Sequence, residues 1–305
     1  MRRNETRGRL GRFDLINPVL DKEIKLRMRS PRTMWTLFFY LLAIGFLAFV
    51  AIYLTQELSG RNGAAFNPEQ SKMLFYFLTM AQLGLVAFMA PGLTAGVISG
   101  EREKQTLNLL LTTQQSSATI IISKLLSSLS FMVLIVLSTI PIYSMVFLYG
   151  GISPKQLVLV FLFYLFIMLT LGSIGIFFST LLKRTMLSVI STYGVTLFIF
   201  AGTAMLYFVM LSITTNYYYS QPAGSGSTYN WVGHIIAMNP VAALMSILEP
   251  SLSDQVFMVH RNAGPVRGEA PMPLWLEFML AYTIISAIAL WIAVRKLRPV
   301  SRRRR

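Results

Sequence analysis

Long apolar segments alternate with short polar ones along most of the chain. Six of these segments are long enough to cross a bilayer as helices, since about 20 apolar residues span its hydrocarbon core. The predicted spans are Met34–Leu54, Met73–Ile98, Ile120–Tyr149, Gln156–Leu182, Met186–Ser212 and Leu274–Val294. The pattern therefore predicts an all-α integral membrane protein, with a leader over residues 1–33, a six-helix transmembrane domain over 34–294 and a basic tail over 295–305.

The composition agrees with this prediction, and the positions of the basic residues predict how the spans are oriented in the membrane. Of the 305 residues, 54% are hydrophobic and 13% are charged. The leader, the tail, the connection after the second span (with Lys124) and the turn after the fourth span together hold 22 of the 27 Lys and Arg residues. Because basic residues are retained in the cytoplasm during insertion, both termini are predicted to be cytoplasmic. This topology explains the net charge of +15, so no nucleic-acid partner is expected.

The predicted spans lack the groups on which proton-driven transport and catalysis usually depend. No Asp, Glu, Lys, Arg or His lies at the middle of a span, whereas proton-coupled transporters normally bury such a relay. The chain has no cysteine, no GxxxxGK[ST] phosphate-binding loop and no HExxH motif, and His234 and His260 do not have metal-ligand spacing. We therefore expect no catalytic residue, metal ion or cofactor in this chain, although sodium coupling through carbonyls and hydroxyls stays open.

The leader is predicted to contain an amphipathic helix at the membrane surface. The pair Asn17-Pro18 is typical of a helix start. Basic residues then follow along one stripe, beside an apolar stripe: Lys22, Lys25, Arg29 and Arg32. Such a helix fits the headgroups of anionic lipid. A docking surface for a partner protein is the alternative.

The long outer loop over residues 213–273 is predicted to carry a short helix of its own. Asn239-Pro240 is typical of an N-cap followed by proline at the first helical position. Apolar residues then recur at helical spacing until Pro250. This helix is too short to cross the membrane. It lies in the outer interface, dips back among the spans, or is a surface helix packed on the loop.

Three glycines near the end of the second span are spaced four positions apart. They are Gly92, Gly96 and Gly100. Because this GxxxG spacing lets helices approach closely, we interpret the three glycines as a helix-packing face. The hydroxyl residues of the third, fourth and fifth spans are interpreted in the same way. The alternative is that those hydroxyls line a path for an amphipathic substrate.

The connection over residues 99–118 joins a charged start to a leucine-rich face. Four consecutive charged residues from Glu101 to Lys104 keep its start in water or at the headgroups. The leucines that share one face of the predicted short helix are Leu107, Leu110 and Leu111. This amphipathic helix either rests on the lipid surface or fits a groove on a cytoplasmic protein.

The run GEREKQTLNLLLTT, which starts at Gly100, resembles the segment after the second span in permease subunits of type-two ABC (ATP-binding-cassette) exporters. The leader with its Asn17-Pro18 pair and the helix after Asn239-Pro240 are also similar to elements of that family. The chain departs from the family pattern at Gln114, where proline is common, and at Ser123, where glycine is common.

The resemblance implies partners as well as a function. A separate cytoplasmic ATPase would bind ATP and Mg, dock on the connection and the leader, and drive export through a pair of permeases formed with a second copy or a paralogue. The protein would lie in the plasma membrane of a bacterium or archaeon. The residues that the resemblance assigns to the ATPase contact are Glu101, Arg102, Glu103, Thr106, Leu107, Leu110 and Leu111.

Two other functions compete with this expectation. A membrane anchor or assembly factor would recruit the same kind of cytoplasmic partner without transporting anything. An intramembrane enzyme is the least supported, because no paired catalytic groups lie within the spans. The sequence indicates neither the substrate nor the identity of the second permease.

Overall fold

The computed structural model describes residues 30–58, 68–107, 116–148, 152–220, 230–257, 259–261, 264–266 and 271–297. These residues are mostly helical, and the two short strands pair as an antiparallel hairpin. The elements in chain order are α1 (Pro31–Leu58), α2 (Pro68–Thr94), α3 (Ser99–Glu103), α4 (Ser117–Leu137), α5 (Ile140–Leu148), α6 (Pro154–Leu181), α7 (Thr185–Leu197), a π-helix (Phe198–Gly202), α8 (Thr203–Ser220), α9 (Gly233–Ala237), α10 (Pro240–Leu248), α11 (Ser251–Phe257), β1 (Val259–Arg261), β2 (Gly264–Val266) and α12 (Leu274–Leu297).

Within the described part of the chain, six helical segments are long and apolar enough to cross a membrane. They are Thr33–Tyr53, Glu69–Glu103, Ser117–Leu148, Pro154–Leu181, Thr185–Tyr217 and Leu274–Leu297. The predicted multi-pass, helical membrane fold is therefore confirmed. The side of the membrane on which each helix end lies stays a prediction.

The third span is interrupted, which its apolar sequence does not reveal. Helix α4 ends at Leu137 and α5 begins at Ile140, just before Pro141. Proline has no amide hydrogen and disfavours the helical conformation at the preceding residue, so it favours a break here. The hydroxyls at the break donate to helix carbonyls, Ser138 to Leu134 and Thr139 to Val136. The same two carbonyls also accept the backbone amides of Ser138 and Thr139, so the hydroxyls find partners at the break without water.

The predicted leader helix lies outside the described residues, together with Lys22, Lys25 and Arg29. Arg32 differs from them, because its backbone forms part of the first turn of α1. Helix α1 begins at Pro31, where proline is favoured because the first helical amide has no partner. The first spanning helix thus includes the last residues that the sequence assigned to the leader.

Helix α6 occupies the centre of the bundle and contacts α2, α4, α7, α10 and α12. Phe163, Tyr164 and Ile167 are buried along it. Its second half approaches α2 closely, because a Cβ atom added to Gly175 would lie only 2.1 Å from the Thr94 hydroxyl oxygen. The neighbours of α6 are therefore positioned by one central helix.

Three spans lie at the periphery of the bundle. Only 22% of the apolar window of the first span is buried, with 17% for the fifth and 28% for the sixth, against 67% for the third. The exposed side chains of these spans are large and apolar, such as Phe46, Leu197 and Ile284. In a membrane protein such faces contact lipid tails or another membrane-embedded chain.

The bundle has two ends, which we name after the short helices that lie there. The α3 end contains α3, the last turn of α6 and the first turns of α4 and α7. The α10 end contains α9, α10, α11 and the first turns of α2, α6 and α12. Helix α10 packs its buried face, which includes Ala243, Leu244 and Leu248, against the spanning helices. The helix after Asn239-Pro240 is therefore embedded in the end of the bundle.

Candidate functional site

The second span ends in a bend that side chains from two other spans hold in place. The Ser179 hydroxyl of α6 accepts the amides of Ile98 at 2.8 Å and Ser99 at 3.0 Å. The Ser188 hydroxyl of α7 donates to the Ala95 carbonyl at 2.6 Å. All these groups are buried, and buried backbone groups require partners. The bend and the charged segment after it are therefore positioned by α6 and α7.

Glu101 connects this segment to the third span. Its Oε1 atom accepts a hydrogen bond from Lys124 Nζ at 2.5 Å, forming an ion pair. The Lys124 side chain is 6% exposed and the Glu101 side chain 29% exposed. A lysine with so little access to water needs a countercharge, because removing it from water is costly. Glu101 supplies that charge to α4.

Arg102 connects the same segment to the fourth span. Its guanidinium donates to the carbonyls of Thr180 at 3.2 Å and Leu182 at 3.4 Å. The last carbonyls of a helix have no partners within the helix and carry partial negative charge. Arg102 therefore satisfies the end of α6 with a cation.

Glu103 connects the segment to the fifth span. Its two carboxylate oxygens accept from the backbone amide and the hydroxyl of Thr185, each at 2.8 Å. Thr185 is the first residue of α7, and the N-cap residue Arg184 makes no side-chain cap bond. A carboxylate at a helix N-terminus is favourable because it satisfies a free amide and complements the helix dipole. Glu103 thus caps α7 from outside that helix.

We call Glu101, Arg102 and Glu103 the charged clasp. Three consecutive side chains reach three different spans, while their backbone continues the second span. One short segment therefore links four of the six predicted spans at the α3 end.

A tight turn directs the chain away from the clasp. Gln105 has a φ of 60°, and the Thr106 amide bonds to the Glu101 carbonyl at 3.0 Å. The Gln105 amide bonds to the Arg102 carbonyl at 3.1 Å, which completes a Schellman motif at the end of α3. Leu107 then returns to the apolar core. The outward-facing residues of the turn are Lys104, Gln105 and Thr106.

The structure distributes the predicted ATPase-contact residues into three groups. The clasp residues bind their own chain, Leu107 is buried, and Thr106 is exposed. Leu110 and Leu111 lie outside the described residues. The assignment of the set to an ATPase contact stays a prediction. In the sequence, Lys124 counts only as one of the basic residues of the connection, and nothing distinguishes Ser179 or Thr185 from the many other hydroxyl residues.

The predicted glycine face lies against the fifth span. Cβ atoms built at Gly92 and Gly96 would lie 3.0 Å from the Tyr193 hydroxyl oxygen and 3.2 Å from the Thr185 methyl carbon. At Gly100 the corresponding distance, to the Thr185 hydroxyl oxygen, is 3.8 Å. Small residues at the first two positions therefore bring α2 and α7 close together beside the clasp.

At the opposite end, Asn239 joins α10 to the π-helix. Its Oδ1 accepts the Val241 amide at 2.8 Å and so caps α10. Its Nδ2 donates to the Phe200 carbonyl at 2.7 Å and to the Thr203 hydroxyl oxygen at 2.9 Å. A π-helical turn displaces the regular backbone bonds, and such turns are frequent at functional sites. One buried amide thus fixes the short helix to an irregularity in the fifth span.

We expect Asn239→Ala to lower the free energy of unfolding by about 2–4 kcal/mol, because it removes a helix cap and leaves the Phe200 carbonyl without this donor. Asn239→Ser is the matched variant, since serine keeps the capping oxygen but lacks the amide donor. It should recover about 1 kcal/mol of the loss. Unfolding by SDS in mixed micelles measures both. Equal stability of wild type and the alanine variant would contradict this role for Asn239.

Other polar contacts fasten the far end of α10. The Leu248 carbonyl accepts from the Tyr76 hydroxyl at 3.0 Å and from Gln156 Nε2 at 3.2 Å. Glu249 pairs with Lys72 at 3.2 Å. Hydrogen bonds from Lys72 and Ser251 hold the pKa of the Glu249 carboxyl below its usual value. The α10 end is therefore anchored to the second and fourth spans.

Among the described residues, no group of three His, Cys, Asp or Glu side chains could hold a metal ion. His234 instead lies 2.7 Å from a Glu277 carboxylate oxygen and stacks edge-on with Phe257. The contact between His234 and Glu277 joins α9 to the start of the sixth span.

One model of a known protein family matches nearly the whole chain. The family model described as ABC-2 family transporter protein matches residues 17–294. A comparison with curated proteins gives no match. The matched region includes the clasp, the glycine face and Asn239.

Proposed function

Because the chain belongs to the ABC-2 family of transporter proteins and forms the multi-pass membrane component of an ABC transporter, we propose that it exports a substrate with energy from a separate cytoplasmic ATPase. The ATPase docks at the α3 end, binds ATP and Mg, and transmits its movement through the clasp. In this proposal both termini lie in the cytoplasm, and the protein lies in the plasma membrane of a bacterium or archaeon.

The observation that carries this proposal is the placement of the clasp. Its three side chains contact α4, α6 and α7, and its backbone continues from α2. A force applied to the exposed turn at Lys104 would therefore reach four spans through one ion pair and several hydrogen bonds. Packed elements with such links move as units rather than deforming continuously. The clasp residues act as positioning residues in this proposal, and the exposed turn is the docking surface together with Leu110 and Leu111.

A second membrane chain completes the transporter in this proposal. The first, fifth and sixth spans bury 28% or less of their apolar windows within one chain. Pairing with a second copy or a paralogue would cover part of those faces and create a path between the two chains. The leader, with its basic stripe, would contact the ATPase or anionic lipid.

A non-transporting anchor is the second candidate, because the exposed turn would serve a recruited protein equally well. The two candidates differ in one measurable property. A transporter couples its conformation to ATP turnover, so reconstituting it with the ATPase changes the hydrolysis rate. An anchor binds the ATPase and leaves that rate unchanged.

Blocking the exposed turn is expected to abolish ATPase docking. The chain has no cysteine, so Lys104→Cys supplies one labelling site, and a bulky maleimide polymer attached there covers the turn. We expect labelling to weaken co-purification with the host's ABC ATPases at least about tenfold, a change of about 1.4 kcal/mol. Lys104 is exposed and makes no side-chain bond among the described contacts, so the unlabelled variant should behave as wild type.

Lys296→Cys is the matched control, since Lys296 is exposed at the same end on α12. Its labelled form should retain the ATPase. Equal retention by both labelled variants would contradict docking at the turn. Unchanged ATP turnover in lipid nanodiscs, despite binding, would favour the anchor.

A further inference from the structure

An apolar groove of about 430 Å³ lies between the second half of α6, the end of α7 with the π-helix, and α12. Its floor consists of buried side chains, such as Ile174, Ile199 and Ala289. Its rim consists of exposed side chains, such as Phe198 and Ile285. Because all three walls belong to spanning helices, the groove opens on the membrane-facing side of the bundle.

The groove is about as long as one membrane leaflet is thick. Its lining on α12 runs from Tyr282 to Ile292, a rise of about 15 Å at 1.5 Å per residue. The hydrocarbon core is about 30 Å thick, so this rise covers about half of it. Trp291 lies beside the α3 end of the groove, and tryptophan is favoured in membranes between the headgroups and the tails. The groove therefore leads from the headgroups at the α3 end toward the middle of the membrane.

The lining of the groove is suited to an apolar occupant. Among the described residues that line it, Tyr282 has the only polar side-chain atom. That hydroxyl donates to the Met238 carbonyl at 3.0 Å, so it is directed at the protein. The groove therefore offers contact to a hydrocarbon chain and no polar group to anything else.

Positive charge lies where the groove reaches the α3 end. The last turn of α12 is basic, whereas the acidic residue of α12, Glu277, lies in the first turn at the other end. Arg295 follows the lining residues Ile288 and Ile292 at helical spacing. Its guanidinium lies over the Trp291 ring, 3.8 Å from the centroid. This contact uses the face of the guanidinium, and the N–H donors at its edge remain suited to a phosphate.

We propose that the groove binds one anionic phospholipid. One acyl chain lies along the groove from Ile292 toward Tyr282, and the phosphate accepts hydrogen bonds from the Arg295 guanidinium. Lys183 and Arg184, which are exposed in the turn after α6, add positive charge at the same end. These cations favour a lipid with a net negative charge over a zwitterionic lipid with the same acyl chains, because a headgroup amine offsets the attraction of the phosphate.

The test compares two lipids with the same acyl chains on the purified full chain in detergent. Dioleoyl phosphatidylglycerol, which is anionic, and dioleoyl phosphatidylcholine, which is zwitterionic, are titrated separately. Native mass spectrometry gives the fraction of protein that carries one lipid. We expect phosphatidylglycerol to bind at least about fivefold more tightly, which is the effect of about one basic residue at a membrane surface. Equal affinity for the two lipids would overturn the proposal.

Tryptophan variants of two neighbouring isoleucines test the groove itself. Ile285→Trp fills the groove and should weaken phosphatidylglycerol binding at least about tenfold. Ile284→Trp is the matched control, since Ile284 is 61% exposed and does not line the groove, and it should bind the lipid as wild type does. Equal binding by the two variants would mean that the lipid associates with the basic surface alone, and the proposal would fail. It would also fail if Ile285→Trp lost a protein dimer and kept the lipid, since the groove would then be a contact between two chains.

A charge variant keeps the test decisive if Ile285→Trp does not fold. Arg295→Gln should bind phosphatidylglycerol about fivefold less tightly than wild type. Lys155→Gln is its control, because it removes an exposed cation at the α10 end and changes the net charge equally. Unchanged affinity in Arg295→Gln, or an equal loss in both variants, would contradict a site at Arg295. None of these outcomes bears on ATPase docking, which is measured at the exposed turn.

Discussion

Gly175→Ala is expected to lower the free energy of unfolding by about 3 kcal/mol, although it adds a single methyl group. The new carbon atom would lie 2.1 Å from the Thr94 hydroxyl oxygen, 2.9 Å from the Thr94 Cβ and 3.3 Å from the Ala95 amide nitrogen. The hydroxyl is already bonded to the Ala90 carbonyl at 2.7 Å. A rotation of Thr94 would therefore cost that bond and would still leave its Cβ too close. The helices α2 and α6 would have to separate.

Gly45→Ala and Gly84→Ala are the matched controls, because nothing lies within 4 Å of a Cβ at either position. Alanine is favoured over glycine in helices by about 1 kcal/mol, so both controls should be neutral or slightly stabilising. Adding Thr94→Ala to Gly175→Ala should recover part of the loss, since it removes the nearest atom. SDS unfolding in mixed micelles compares all four. Equal stability of Gly175→Ala and Gly45→Ala would show that the two helices are not in this contact.

Glu101→Gln is expected to destabilise the protein by about 2–3 kcal/mol, because it removes the countercharge of a nearly buried lysine. Lys124→Met should cost less, about 1 kcal/mol, since the Glu101 side chain left behind is 29% exposed, against 6% for Lys124, although its Oε2 atom is buried. The variant that leaves the more buried partner behind is therefore expected to lose more stability.

The double variant Glu101→Gln with Lys124→Met measures the interaction itself. If the two residues act as a pair, the double variant loses less than the sum of the single losses. Additive losses would contradict the ion pair. The same variants test the clasp in the transporter, because a weakened link between α3 and α4 should lower ATP-driven transport more than it lowers ATPase docking. A labelled Lys104→Cys chain should lose docking itself.

Several features of the fold could be read from the sequence because they depend on local chemistry. Apolar length alone determines that a segment spans the bilayer, and all six spans were found. The Asn239-Pro240 pair predicted its helix because capping is decided by adjacent residues. The glycine spacing indicated a close-packed face, but not which helix would lie against it. The break before Pro141 had a local signal in proline that the apolar count did not use.

The role of the charged segment could not be read in the same way. Its pattern of alternating charges suggests a surface that faces water and a partner, and the turn at Lys104 has that character. The tertiary structure instead gives Glu101, Arg102 and Glu103 partners that are 23 to 82 positions away in the chain. No short-range pattern specifies such pairs, since they depend on where the ends of α4, α6 and α7 meet.

The order of apolar and polar residues is thus enough to predict a multi-pass helical membrane protein with a distinctive segment after the second span. Those properties follow from the cost of placing polar groups in hydrocarbon, which acts on each segment separately. The assembled bundle is needed to see that this segment links four spans and that Asn239 joins α10 to the π-helix. Both depend on helix ends whose unsatisfied backbone groups find partners only after the bundle has assembled.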